Sequence, residues 1–308
     1  MSEKSNKLLK KAALQITSGG SAGFVEVCIM HPLDLIKTRM QLQAGRSGYA
    51  VTETSQMYYN GILDCFHKMY KHEGLFSFYK GILPPILAET PKRAIKFFTF
   101  EQYKTLFLFG GTTSSSLTYS LAGACAGITE AIFVNPFEVV KVSLQSDRSK
   151  IKEYPSTWSV TKEIVEKDGV GLSGLNKGLS GTIARNGIFN MVYFGFYHSV
   201  QSFIPEVKDD FGKFLTKVVI GFVSGTLASC LNIPFDVAKS RIQGPQPVPG
   251  QVKYKKLLPT MHLIYKEEGW RAMYKGLIPK IMRLGPGGAI MLVVYDYTYQ
   301  LLLHKFPD

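Results

Sequence analysis

Six charged residues stand at one repeated spacing and could make ion pairs that close and reopen. They are Asp34 and Lys37, Glu138 and Lys141, and Asp236 and Lys239. Each acid follows a proline by two residues, each lysine follows its acid by three, and a glutamine comes four later, at Gln41, Gln145 and Gln243. Acid and base three apart lie on one helix face. A single such pair on a surface helix contributes about 0.3–0.5 kcal/mol. Three pairs in identical register argue for a shared task rather than three unrelated local contacts.

A second set of bases suits anion binding. Arg93 and Lys96 are three apart, and Arg185 and Arg283 each lie 13 residues before a position, His198 or Asp296, near the end of its own helix. At 1.5 Å per residue that offset places both arginines about 20 Å inside the helix end. A charge at that depth of a membrane must face water or a partner. Snorkelling to the lipid surface suits residues near helix ends, not these. Arginine offers a planar fork to a carboxylate and lysine a point charge, so cations from three segments fit an anion with two carboxylates. Asn186, beside Arg185, could donate to a 2-oxo group or a carboxylate; Asn190 and Tyr193 are weaker candidates. Glu26 and Glu130 lie six residues before Pro32 and Pro136, where the third copy has Ala228. They either partner cavity bases, carry a proton, or bond the backbone at the proline.

The elements that must position these residues repeat with the same period. The prolines, Pro32, Pro136 and Pro234, recur about every 100 residues, which divides the chain into three units before any other feature is read. The units are 1–110, 111–209 and 210–308. Each opens with an apolar helix rich in small residues, carrying Gly19/Gly23, Gly123/Gly127 or Gly221/Gly225. Small-xxx-small at one register three times is a strong sign of membrane helix contact. The helix is expected to run through the proline, which kinks it, to the glutamine. A polar loop with a short amphipathic helix follows, around Cys65, Val160 and Ile264. Each loop reaches an acid-glycine and a Lys-Gly element: Glu73-Gly74 with Lys80-Gly81, Asp168-Gly169 with Lys177-Gly178, and Glu268-Gly269 with Lys275-Gly276. A second, more charged helix ends each unit. The expected fold is an all-α membrane protein of six transmembrane helices in three pseudo-threefold repeats.

Charge distribution orients it. The long loops 42–81, 146–178 and 244–276 hold 4, 6 and 6 Lys plus Arg, whereas the short connections 105–115 and 202–212 hold only Lys208. The long loops therefore belong on the inner side and both termini on the outer side. The Lys4, Lys7, Lys10 and Lys11 cluster argues weakly the other way. The formal net charge of +13 calls for an acidic partner,. No nucleic-acid module accompanies it, so lipid or a small anion is expected rather than DNA or RNA. Four cysteines show neither CxxC nor metal spacing,. Gly169-Val-Gly171-Leu-Ser-Gly174 matches a dinucleotide fingerprint but follows a charged helical stretch, not a strand, so no cofactor is expected. The six histidines form no catalytic or metal constellation.

Three copies of Pro-x-[Asp/Glu]-x-x-Lys-x-[Lys/Arg]-x-Gln, each followed by acid-Gly and Lys-Gly, resemble the mitochondrial carrier family over nearly the whole chain. Ser143 departs from the pattern where a base belongs. The resemblance implies an inner (matrix) gate of inter-repeat pairs, Asp34 with Lys141, Glu138 with Lys239 and Asp236 with Lys37, braced by Gln41, Gln145 and Gln243. It implies an outer gate at [Phe/Tyr]-[Asp/Glu]-x-x-[Lys/Arg], here Glu101 and Lys104, His198 and Gln201, and Asp296 and Tyr299. That ring is sparse, with Asp296–Lys104 its one full ion pair, so a resting state open to the outer side is expected. Stretches such as Gly81–Ala94 and Lys280–Ala289 are similar to family members that move 2-oxo dicarboxylic acids. The resemblance implies a monomeric antiporter, not an enzyme, of the mitochondrial inner membrane, with both termini in the intermembrane space. It would exchange 2-oxoadipate and related C5–C7 2-oxodicarboxylates for 2-oxoglutarate by alternating access, with Arg93, Lys96, Arg185, Asn186 and Arg283 on the substrate. A carrier of other dicarboxylates or of tricarboxylates is the alternative. Cardiolipin phosphates at the Lys-Gly elements are the implied lipid partner.

Overall fold

A computed structural model of the chain describes residues 2–43, 58–108, 115–149, 154–204, 209–246 and 252–305. The described residues are helical, without a strand. Six long helices carry the fold: α1 (Ser2–Leu42), α3 (Leu83–Leu106), α4 (Ser116–Ser146), α6 (Leu179–Gln201), α7 (Asp210–Gln243) and α9 (Leu277–Lys305). Three 12-residue helices, α2 (Ile62–Glu73), α5 (Thr157–Asp168) and α8 (Leu257–Glu268), lie between the members of each long pair. α1, α4 and α7 pass through Pro32, Pro136 and Pro234 without ending.

Length and composition let α4, α7 and the stretch containing α9 each cross a membrane. The remaining long helices fall below the same hydropathy threshold, and Lys92, Arg93 and Lys96 show why for α3. Large apolar side chains, among them Ile29, Phe133, Leu231 and Val293, stay exposed on the outside of the bundle. Polar side chains fill its inside, Asn186, Asn190, Asp236 and Lys239 included. That inversion suits hydrocarbon around a watery interior.

The small residues set how closely the helices approach. A Cβ added at Gly127 would lie 2.5 Å from the Asn186 carbonyl oxygen, and one at Gly123 would lie 2.8 Å from that of Asn190. α4 and α6 thus meet backbone to backbone, as small-xxx-small contacts permit. In the first and third repeats the facing atoms at Gly23 and Gly225 belong to side chains, Glu89 and Leu284.

Candidate functional site

The charged pairs of α1, α4 and α7 meet at the inner end of these helices. Lys141 Nζ lies 3.0 Å from Asp34 Oδ2. Lys37 Nζ lies 2.5 Å from Asp236 Oδ2. Lys239 pairs with Glu138. Each lysine therefore faces an acid of another repeat, and the three pairs form a ring across the bundle.

The glutamines do not brace this ring alike. Gln41 donates to Asp236 at 3.4 Å and accepts from Ser240 at 2.8 Å. Gln243 turns instead to Asn135 Oδ1 at 3.0 Å and the Lys177 carbonyl at 3.2 Å. Asn135, just before Pro136, offers it an amide acceptor that His31 and Ile233 cannot offer at the matching sites. Gln145 has neither side-chain polar atom bonded among the described residues.

The outer ends are not joined. Lys104 pairs with Glu101 on its own helix, three residues back. Among the described residues no ion pair joins Lys104 to exposed Asp296, although sequence pointed to that pair. The His198 ring stacks on Tyr119, centroids 3.5 Å apart, and Tyr299 stacks on Tyr295 at 5.9 Å. No hydrogen bond links Gln201 to Glu101 among the described residues. Glu101, Lys104, His198 and Tyr299 thus take partners on their own or an adjacent helix. Among the described residues, then, one ring is paired and the other is not.

Above the inner ring lies a cavity of about 270 Å³, lined by Lys96, Glu130, Arg185, Asn186, Asn190 and Arg283, with Asp34, Lys37, Glu138, Lys141 and Asp236 of the ring also in its wall. The arginines are not free. Arg185 lies 2.6 Å from Glu138 and 3.7 Å from Asp236. Its guanidinium also donates to Asn186 Oδ1 at 2.7 Å. Arg283 donates to both Asp34 oxygens, at 2.7 and 2.8 Å, and to Glu26 at 3.1 Å. Arg185 and Arg283 thus share the acids of the inner ring with its lysines. Lys96 Nζ sits over the Phe194 ring, 5.6 Å from its centroid, with no ion pair among the described residues. Arg93 stands outside the cavity lining. Glu26 at 2.6 Å and Glu89 hold its guanidinium against α1. Glu26 is therefore a partner of cavity bases, the first of the readings open from sequence. Glu130 is buried with Oε2 unbonded.

Lys92, four residues before Lys96 and on the same face, also lines this space, and sequence reasoning missed one cation there, Lys280. A signal was present. Lys280 lies three residues before Arg283, on the same face of one helix. Two of the Lys-Gly lysines, Lys80 and Lys275, pair with acids of their own loops. Lys80 is fully buried, 2.6 Å from Glu73, with its ammonium donating to the Asp147 carbonyl at 3.2 Å. Its charge is used inside the protein.

Six long helices around a charged cavity that is closed at one end define a membrane transporter. The mitochondrial carrier protein family model matches residues 10–111, 112–208 and 211–306. The human mitochondrial 2-oxodicarboxylate carrier is 58% identical over 295 residues, 96% of each chain. The bovine carrier of that name is 58% identical over 294 residues, again 96% of each. The mitochondrial citrate transporter D of Aspergillus niger is 41% identical over 286 residues, 91% of each. The chain belongs to the mitochondrial carrier family, and is a mitochondrial membrane carrier built of three repeats.

Proposed function

We propose that this protein is an antiporter of the mitochondrial inner membrane. It exchanges 2-oxoadipate and related C5–C7 2-oxodicarboxylates for 2-oxoglutarate by alternating access. The single observation that carries this reading is the sharing of the inner-ring acids between gate lysines and cavity cations. Asp34 is bound by Lys141 and Arg283, and Glu138 by Lys239 and Arg185. A dicarboxylate that takes Arg185 and Arg283 removes one of two cations from each acid, so substrate binding itself weakens the inner gate. Alternating access needs that link: substrate shifts the equilibrium only through a differential interaction with the two states. The names of the relatives support the 2-oxodicarboxylate class. Asn186, whose buried Nδ2 is unbonded, is available as a donor to the 2-oxo group.

In this reading Asp34, Lys37, Glu138, Lys141, Asp236 and Lys239 form the matrix gate. Gln41 braces one pair of it. Glu101, Lys104, His198, Gln201, Asp296 and Tyr299 close the outer side in the opposite state. Arg93 reaches substrate only when released from Glu26 and Glu89; Lys96 is available at once. The three units 1–110, 111–209 and 210–308 work as one monomer, with both termini on the intermembrane-space side. Cardiolipin phosphates bind the helix N-termini after Gly81, Gly178 and Gly276. Carriage of citrate is the second reading, favoured by the likeness to citrate transporter D. Liposome exchange decides between them. External labelled 2-oxoglutarate enters liposomes loaded with 2-oxoadipate and not those loaded with citrate, phosphate or ADP. Equal uptake into citrate-loaded liposomes refutes the substrate assignment, and an Arg185→Ala variant with normal exchange refutes the site.

A further inference from the structure

Lys280 is a charge without a counterpart. It stands four residues after Gly276; the matching positions after Gly81 and Gly178 are Pro85 and Thr182. Its partner Asn232, two residues before Pro234, likewise replaces Met30 and Val134. The inner ring is threefold, so a cation outside the threefold pattern is not needed to build it. Yet Lys280 lines the central cavity with Arg185 and Arg283. Its ammonium contacts Asn232 Oδ1 and lies 3.3 Å from Asp236 Oδ2. It also sits over the Phe189 ring at 5.6 Å. Asn232 in turn donates to the Arg185 carbonyl oxygen at 3.2 Å. One asparagine thus ties the lysine of α9 to the arginine-bearing turn of α6.

Charge at this wall is in excess. Glu138 and Asp236, two acids, face four cations: Lys37, Lys239, Arg185 and Lys280. Asp236 is the most heavily supplied, since Lys37 and Arg185 reach it as well. Lys280 can therefore leave Asp236 without stranding a buried carboxylate, the event that makes broken ion pairs costly. A cation that can be spared, beside an arginine fork and inside the cavity, is built to meet an incoming anion.

We propose that Lys280 is a substrate-binding, specificity-determining residue. With Arg185 it forms one carboxylate site on the wall between the second and third repeats, while Arg283 takes the other end of the molecule. An elongated anion with two separated carboxylates spans both sites; a monocarboxylate fills only one. This rests on the reading of the cavity as a dicarboxylate site.

The test uses purified full-length protein and ligand-induced thermal stabilisation by 2-oxoglutarate, 2-oxoadipate, malate, citrate and the monoanion 2-oxobutyrate. Lys280→Gln weakens binding of the stabilising dianion about tenfold or more and erases its advantage over 2-oxobutyrate. Lys280→Arg keeps that advantage. In liposomes the loss in Lys280→Gln falls mainly on KM, whereas a merely structural lysine would lower Vmax for every anion alike. Unchanged dianion binding by Lys280→Gln overturns the proposal. Should that variant not fold, acylation of Lys280 in the unsubstituted protein by a small amine reagent, read by mass spectrometry, replaces it. Substrate slows that labelling, and labelling indifferent to the dianion overturns the proposal. Stabilisation by malate or citrate but not by 2-oxo acids refutes the substrate class, while Lys280 is still judged with the anion that binds. Stabilisation by none of them refutes both.

Discussion

Two of the three seams between repeats are clamped on the inner face by a buried arginine, and one is not. At the seam between repeats 1 and 2, Arg39 makes a two-pronged contact with Glu73 and donates to the carbonyl oxygens of Gln145 at 3.2 Å and Asp147 at 2.8 Å. Arg241 repeats this between repeats 3 and 1, with Glu268 and the carbonyls of Gln41 at 3.2 Å and Gln43 at 3.1 Å. Tyr59 and Tyr254 each accept from the guanidinium, and Lys80 and Lys275 add a second cation. Between repeats 2 and 3 the position belongs to Ser143. A neutral network of Asn135, Thr182 and Gln243 takes over. Inside the cavity, Arg185 bridges Glu138 and Asp236 across the same boundary. All three seams have ion pairs within the cavity, but two also have an arginine clamp outside it, whereas the third relies on charge only where substrate can reach the arginine that bridges it.

The largest expected effect breaks an outer clamp. Arg39→Ser or Arg241→Ser leaves a buried glutamate with one cation, Lys80 or Lys275, in place of two, strips the guanidinium from the facing backbone carbonyls, and costs about 2–3 kcal/mol. Ser143→Ala removes no such contact and stays within ~0.5 kcal/mol. Thermal unfolding in detergent reads the difference, and equal losses at the three positions would end the comparison. Next in size is Arg185→Gln. Loss of the internal bridge loosens only the third seam. Spin labels at the exposed residues Lys71, Glu166 and Lys266, one on each short helix, report it. The 166–266 distance lengthens without substrate while the other two stay fixed. Equal lengthening of all three would show that the seams open together.

The clamps were partly legible in the sequence. The threefold period, the long helices running through proline, the three short helices and the acid-lysine spacing all follow from periodicity, which is local and survives without coordinates. Ser143 was visible as a break in the pattern. Its meaning was not legible, because Arg39 bonds Gln145, 106 residues away. Long-range partners of that kind leave no trace in spacing. The substrate bases were legible as a set but not as a geometry. Arg93 was drawn off by Glu26 and Glu89, while Lys280 was passed over because no repeat copies it. The outer ring was legible as sparse; Glu101, Lys104, His198 and Tyr299 take local partners, and no sequence states which conformation is adopted.

Rebuilding the missing clamp sharpens the contrast more gently. Ser143→Arg places a guanidinium in the helix register of Arg39 and Arg241, within the repeat that supplies Asp168 as the acid before glycine. The expected result is a several-fold slower exchange with a higher melting temperature, and Asp168→Asn in the same chain restores the rate. Unchanged exchange would mean that the third seam does not control opening.

The smallest effect comes from acid. Burial pushes the Glu268 carboxyl upward, but the hydrogen bonds and charge of Arg241, with Lys275, outweigh it and hold the group below the usual glutamate value. A carboxyl depressed in the folded state adds stability that is present above its unfolded value, about 4.3, and is lost as pH falls through the folded one. Stability of the clamped seam between repeats 3 and 1 therefore holds at neutral pH and declines only below about pH 4. Glu268→Gln removes this acid-sensitive part, so its melting temperature, already lower at pH 7, changes less between pH 6 and pH 4 than that of the unsubstituted protein. Asp168→Asn is the matching substitution beside the seam whose clamp position is Ser143. A profile altered equally by both substitutions would place an acid-sensitive clamp at the third seam as well, and the asymmetry argued from Ser143 would fail.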